Sequence, residues 1–258
     1  MLGKLLKYEI KATARTFLPI YGVLLIFSLL SRIFKDINNN TLVMQLLESL
    51  GMVTYVFIII GTFVLALVVM IQRFYKNLLR DEGYLMFTLP VKPRQLIESK
   101  LLVSMLWVIS SMFFTVISVL VLAWDSSSWD SVCRVVNQFF EDSQKTFGIN
   151  GSVFIIEAIV WLLISIAASV LMIYAAVSIG QTFSKHKLLA SFGAYVALYM
   201  VVQVLASILL LIGSATRPDQ WVNNIATPAL PHLFLIGMSV LELALSTAFY
   251  IITKRILT

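Results

Sequence analysis

Charged side chains are scarce in this sequence: lysine, arginine, aspartate and glutamate make up 12% of its 258 residues, about half of the roughly 25% found in an ordinary soluble domain. Too little charge is present to cover the surface of a water-soluble globule. Cysteine is nearly absent as well. Cys133 stands alone, which excludes an internal disulfide and a cysteine-based metal site and leaves only an intersubunit bridge open to it. Histidine occurs at 186 and 232. Their expected places on opposite sides of a membrane argue against a shared metal or catalytic dyad. The usual signatures of enzymes are also missing. There is no G-x-x-x-x-G-K-[ST] loop for nucleotide phosphates, no G-x-S-x-G elbow, no H-E-x-x-H and no intramembrane aspartate pair, so the chain shows no active site of its own.

What fills the sequence instead is hydrophobic. Sixty percent of the residues are apolar and the mean hydropathy is +0.94. A helix needs about 20 mainly apolar residues to cross the hydrocarbon core, and six stretches qualify, at 16–34, 50–72, 101–124, 153–179, 190–213 and 232–253. Runs such as IIIGTFVLALVVMI are apolar on every side, unlike the alternating segments of about ten residues that build a barrel. The expected fold is therefore all-α: a polytopic membrane protein in one transmembrane domain. A basic segment before the first apolar run imitates a secretion signal. The run is too long for one and its end, SLLSRIF, lacks an A-x-A-like cleavage site, so it is expected to be retained.

Orientation follows from lysine and arginine. The N-terminal arm, the connections after the second and fourth spans and the C-terminal tail together carry fourteen, against five on the opposite side (Arg32, Lys35, Arg134, Lys145 and Arg217). This asymmetry places both termini in the cytoplasm. The net charge of +6 is thus mostly a topology signal, and no nucleic-acid partner is expected.

Residues 1–15, MLGKLLKYEIKATAR, project as an amphipathic helix. Lys4, Lys7, Lys11 and Arg15 share one arc, with Leu2, Leu5 and Leu6 opposite, as expected for an interfacial helix on the inner leaflet. Glu9 falls in the centre of the apolar face. There a carboxylate needs a basic partner, a headgroup-level position or a contact on another protein. On the outer side, in the loop 125–152, Val132, Val135, Val136, Phe139 and Phe140 recur at helical spacing and predict a short amphipathic helix, with Trp124 and Trp129 anchoring its entry. The loop 214–231 contains Pro218, Pro228 and Pro231, which exclude one regular helix through it.

Few polar groups lie within the spans. Glu157, about one turn from the outer end of its span, is expected to reach towards water. Glu242, near the middle of the last span, should face protein or a cavity, in a hydrogen bond to another helix or in contact with substrate or a proton. Gln203 reads as interhelical glue. Tyr55, Phe57, Tyr195 and Tyr199 offer an aromatic lining for a path, although packing is the simpler role at helical spacing.

The segment RDEGYLMFTLPVKPRQLIESK, residues 80–100, is unusual. Gly83 supplies a helix stop and Pro93 a helix start, leaving Tyr84, Leu85, Met86, Phe87 and Leu89 as an apolar protrusion between charged flanks. Such a group seeks burial in the lipid interface or in a groove on another protein. Arg80, Asp81, Glu82, Lys92 and Arg94 have the character of a polar rim around a docking site. The run DEGYLMFTLPVKPRQLIESKLL resembles the segment E-G-Y-L-x-F-T-L-P-V of small membrane subunits of bacterial ATP-binding-cassette transporters of the type-2, exporter-like class. The six-span plan, the basic N-terminal helix and the irregular outer segment before the last span are similar too. The resemblance implies that residues 1–15, with Lys4, Lys7, Glu9 and Lys11, act as a connecting helix. It further implies that Asp81, Glu82, Gly83, Tyr84, Leu85, Phe87, Leu89 and Pro90 form a cytoplasmic coupling element seated on a separate ATPase subunit, which would bind ATP and Mg. Two ATPase copies and a second permease, the same chain or a sister, would complete an assembly in the cell membrane. An amphipathic or apolar cargo such as a peptide, drug or lipid would pass between the permeases, with Tyr55, Tyr195, Tyr199, Gln203 and Glu242 as candidates along the path. The rivals are a gradient-driven secondary transporter or channel using Glu242, and a membrane protein that binds partners and transports nothing.

Overall fold

The computed structural model describes residues 2–36, 42–76, 93–124, 126–147, 151–183, 185–215 and 229–257. All regular structure among them is helical: α1 (Leu2–Asp36), α2 (Leu42–Phe74), α3 (Pro93–Leu122), α4 (Ser126–Phe147), α5 (Gly151–Gln181), α6 (Lys187–Ala215) and α7 (Ala229–Leu257). Six of these, all but α4, are long and apolar enough to cross a membrane, and the chain is a multi-pass membrane protein. They form two compact units, Met1–Ser131 and Val132–Thr258.

In the first unit α1 packs mainly on α3 and also on α2. The expected surface helix and first span are one continuous helix, and its buried residues explain why. Glu9, Thr13, Phe17, Tyr21, Leu24, Ser28 and Ser31 recur every three or four positions, a single stripe with the helical period that runs straight through residues 15 and 16. Lys4, Lys7, Lys11 and Arg15 remain exposed, as their arc predicts. The opposite face, expected to meet lipid, is instead covered by helices, with Leu6, Ile10 and Ala14 joining the core of Phe17, Tyr21, Ala66, Val103 and Trp107. Pro19 lies inside α1, where it forfeits a single backbone bond.

The stripe is stitched to α3 by aromatic and hydroxyl contacts. Phe17 stacks on Trp107 with ring centroids 4.4 Å apart and planes 7° from parallel. The Trp107 indole N–H donates to Thr13 Oγ1 at 2.7 Å, and the Thr13 hydroxyl donates to the Glu9 carbonyl at 2.7 Å. One turn on, the Tyr21 hydroxyl lies 2.9 Å from Ser111 Oγ. Pro93 begins α3, the position where its missing N–H costs nothing.

In the second unit α5 is the hub, paired with α7 and with α6. Its buried half includes Ala175, Ala176, Ser178 and Gly180, small residues that let neighbouring backbones approach closely. The turn into α6 passes through His186, at a φ of 55°, whose carbonyl accepts the Ala190 N–H at 3.0 Å. Pro231 falls in the first turn of α7, where the helix makes no use of an N–H. The predicted outer amphipathic helix is α4, 22 residues long, with Trp124 and Trp129 rings 6.4 Å apart at its entry. Cys133 on it is exposed and free.

Candidate functional site: the Glu9 ion cluster and the ends of α2 and α3

The proposed docking residues Asp81, Glu82, Gly83, Tyr84, Leu85, Phe87, Leu89 and Pro90 lie outside the described residues. What is described is the pair of helix ends that carry them: α2, ending at Phe74, and α3, starting at Pro93. Both ends are tied to α1 through one carboxylate. Glu9 Oε2 accepts from Arg73 Nη1 of α2 at 2.7 Å, and Glu9 Oε1 accepts from Lys100 Nζ of α3 at 2.8 Å. Each oxygen serves a different helix.

Burial makes this arrangement demanding. The Lys100 side chain is 4% exposed and that of Glu9 11%, while Arg73 keeps 30%. A buried carboxylate is tolerable when its lone pairs are filled by opposite charges. Two cations answer the need that the position of Glu9 on an apolar face had announced. Lys100 occupies the stripe of α3 that also holds Leu96, Val103 and Trp107, and it therefore points at α1. Reading it as a loop lysine hid this role. The signal was its spacing of three and seven residues from Val103 and Trp107. Arg94, at the outset of α3, pairs with Glu98 at 2.6 Å in a largely exposed position, where such a pair contributes little.

The residues considered for a path fall in different places. Tyr55 is buried in the first unit, 3% exposed, with its hydroxyl 2.8 Å from Ser118 Oγ of α3. It packs α2 against α3, whereas Phe57, two residues on, is exposed. In the second unit, Tyr195 and Tyr199 stack along α6 with centroids 6.4 Å apart. Among the described residues the Gln203 side chain bonds within its own helix: its amide donates to the Tyr199 hydroxyl, 2.7 Å away on the same exposed face of α6, the neighbour four positions back.

Glu157 and Glu242 both lie between α5 and α7. Ser165 Oγ donates to Glu242 Oε2 at 2.5 Å, a hydrogen bond to another helix. Glu157, whose side chain keeps 27% exposure, also has its Oε2 2.5 Å from His232 Nδ1 in the first turn of α7. No group of three or more His, Cys, Asp or Glu that could hold a metal occurs among the described residues. Comparison with known proteins finds no matching family model, no matching curated protein and no matching solved structure.

Proposed function

We propose that the chain is the membrane permease subunit of an ATP-driven transporter of the ATP-binding-cassette type, with ATP hydrolysed on a separate subunit. The observation that carries this reading is the segment DEGYLMFTLPV. An apolar patch with a charged rim is built to be buried by another protein, and the sequence resembles the coupling element of such permeases. The ion cluster lends support, because it joins the two helix ends flanking that segment to the N-terminal helix. The lack of any nucleotide-binding motif in the chain suits a division of labour between permease and ATPase. In this reading, closure of the ATPases on ATP pushes on residues 80–90, and α2 and α3 carry the displacement through the membrane. Transport requires two helix arrangements that differ in affinity for cargo on the two sides. The assembly holds two permeases and two ATPases in the cell membrane, with cytoplasmic termini and an apolar or amphipathic cargo.

Co-purification from the native membrane tests this. An ATPase should accompany the intact chain and be lost from a correctly inserted Phe87→Asp, Leu89→Asp variant. An intact chain that brings down no ATPase under mild conditions, or a variant that keeps it, overturns the assignment. One observation favours a second reading, a gradient-driven transporter: mid-span Glu242 is held by the Ser165 hydroxyl and joins no ion pair among the described residues. It predicts transport driven by an ion gradient with no ATPase present and abolished by Glu242→Gln.

A further inference from the structure

The geometry points to Glu9 as a positioning residue: we infer that Glu9, Arg73 and Lys100 form a clamp that fixes the spacing of the α2 and α3 ends, and thereby the presentation of the segment between them. The partner-binding half of this inference rests on the permease reading, and the clamp itself does not.

Three features of the cluster support it. First, the cations come from the two helices whose ends the segment joins. Arg73 is the penultimate residue of α2 and Lys100 lies two turns into α3. Displacing one end relative to the other must stretch a charge-assisted bond of 2.7 or 2.8 Å, and such bonds weaken steeply with distance and angle. Second, the carboxylate is itself held. Its helix is pinned to α3 one turn later by the Trp107 indole on Thr13, and that hydroxyl returns to the Glu9 carbonyl. Glu9 cannot follow either stem without disturbing this stitch. Third, packing alone gives no reason for charge here. Apolar side chains of similar volume hold buried helices as well as an ion pair or better. What the pairs add is direction, since each oxygen accepts from one fixed donor.

The test uses the full chain in lipid nanodiscs, with Glu9→Gln, which keeps the shape and removes the charge, and Glu9→Asp, which keeps the charge between the two cations on a side chain one methylene shorter. The first readout needs no partner: limited trypsin cleavage after Lys76 and Arg80. Glu9→Gln should raise cleavage at these two sites, and at no others, by about tenfold, with Glu9→Asp staying closer to the native level. The second readout is titration with the ATPase recovered alongside the intact chain, for which Glu9→Gln should bind about tenfold more weakly and Glu9→Asp should again stay closer to the native affinity. If Glu9→Gln merely lowers the thermal midpoint while cleavage of the folded protein is unchanged, the cluster is structural only and the inference falls. If cleavage responds but binding does not, the partner-binding half falls. Where the intact chain binds no ATPase, the permease reading fails by itself, and the cleavage result still decides the clamp. Should Glu9→Gln not fold, Arg73→Gln asks the same question at the most exposed corner of the cluster.

Discussion

Substituting Glu9 by leucine removes the carboxylate to which Lys100, whose side chain is 4% exposed, donates at 2.8 Å. Breaking a buried pair from one side costs about 3–5 kcal/mol, because the remaining charge keeps its desolvation penalty and loses its compensation. Arg73, at 30% exposure, can turn towards water, so its share should stay within about 1 kcal/mol. Lys100→Met alone should cost less than Glu9→Leu, since Glu9 keeps Arg73 as a partner. The combined Glu9→Leu, Lys100→Met variant replaces the pair by apolar groups and should lie within about 1 kcal/mol of the native protein, as buried pairs exchanged for well-packed apolar residues generally do. The coupling energy of the cycle is then at least about 3 kcal/mol in magnitude, far beyond the few tenths expected of independent sites. Unfolding in mixed micelles by titration with a denaturing detergent, followed by tryptophan fluorescence, measures all four corners of the cycle. A double variant as unstable as Glu9→Leu would refute the reasoning, because the loss would then come from packing around residue 9 and not from breaking the pair with Lys100.

Two further expectations concern each unit separately. Trp107→Phe keeps an aromatic ring against Phe17 and loses the bond to Thr13, so it should cost about 1 kcal/mol, against about 3–5 kcal/mol for Trp107→Ala; equal shifts in thermal midpoint for the two would mean that stacking contributes nothing. Gly180→Ala would place a methyl 2.6 Å from the Ser191 Cα, forcing α5 and α6 apart at a cost of about 1–3 kcal/mol. Gly61→Ala meets nothing within 4 Å and should be neutral or stabilising by up to about 1 kcal/mol; thermal midpoints that fall equally would contradict the close approach at Gly180.

Much of the architecture was legible in composition and period. Six spans follow from apolar length alone, because the bilayer sets that length irrespective of what the helices touch. The amphipathic helix α4 and the exposed arc of Lys4, Lys7 and Lys11 follow from the 3.6-residue period. The place of Pro93 at a helix start follows from proline's missing N–H. The apolar stretch between charged flanks at 80–90 stood out in the sequence, and it lies outside the described residues. Even Glu9 announced a problem, since a carboxylate on an apolar face requires compensation.

Which groups supply that compensation was beyond the reach of sequence. Arg73 and Lys100 are 64 and 91 residues from Glu9, and both counted simply as basic residues of a cytoplasmic connection. The same distance in sequence hid the partners of Glu157 and Tyr55, while Gln203, expected to reach a neighbouring helix, found its acceptor locally on α6. The continuity of α1 was likewise decided in three dimensions. An amphipathic face specifies that something apolar must cover it, not whether that cover is lipid or protein, and only the stripes of α1 and α3 meeting in space supplied the answer. Periodicity is a property of one helix and is written in one stretch of chain. Partnership is a property of two, and it is settled only when folding brings their faces together.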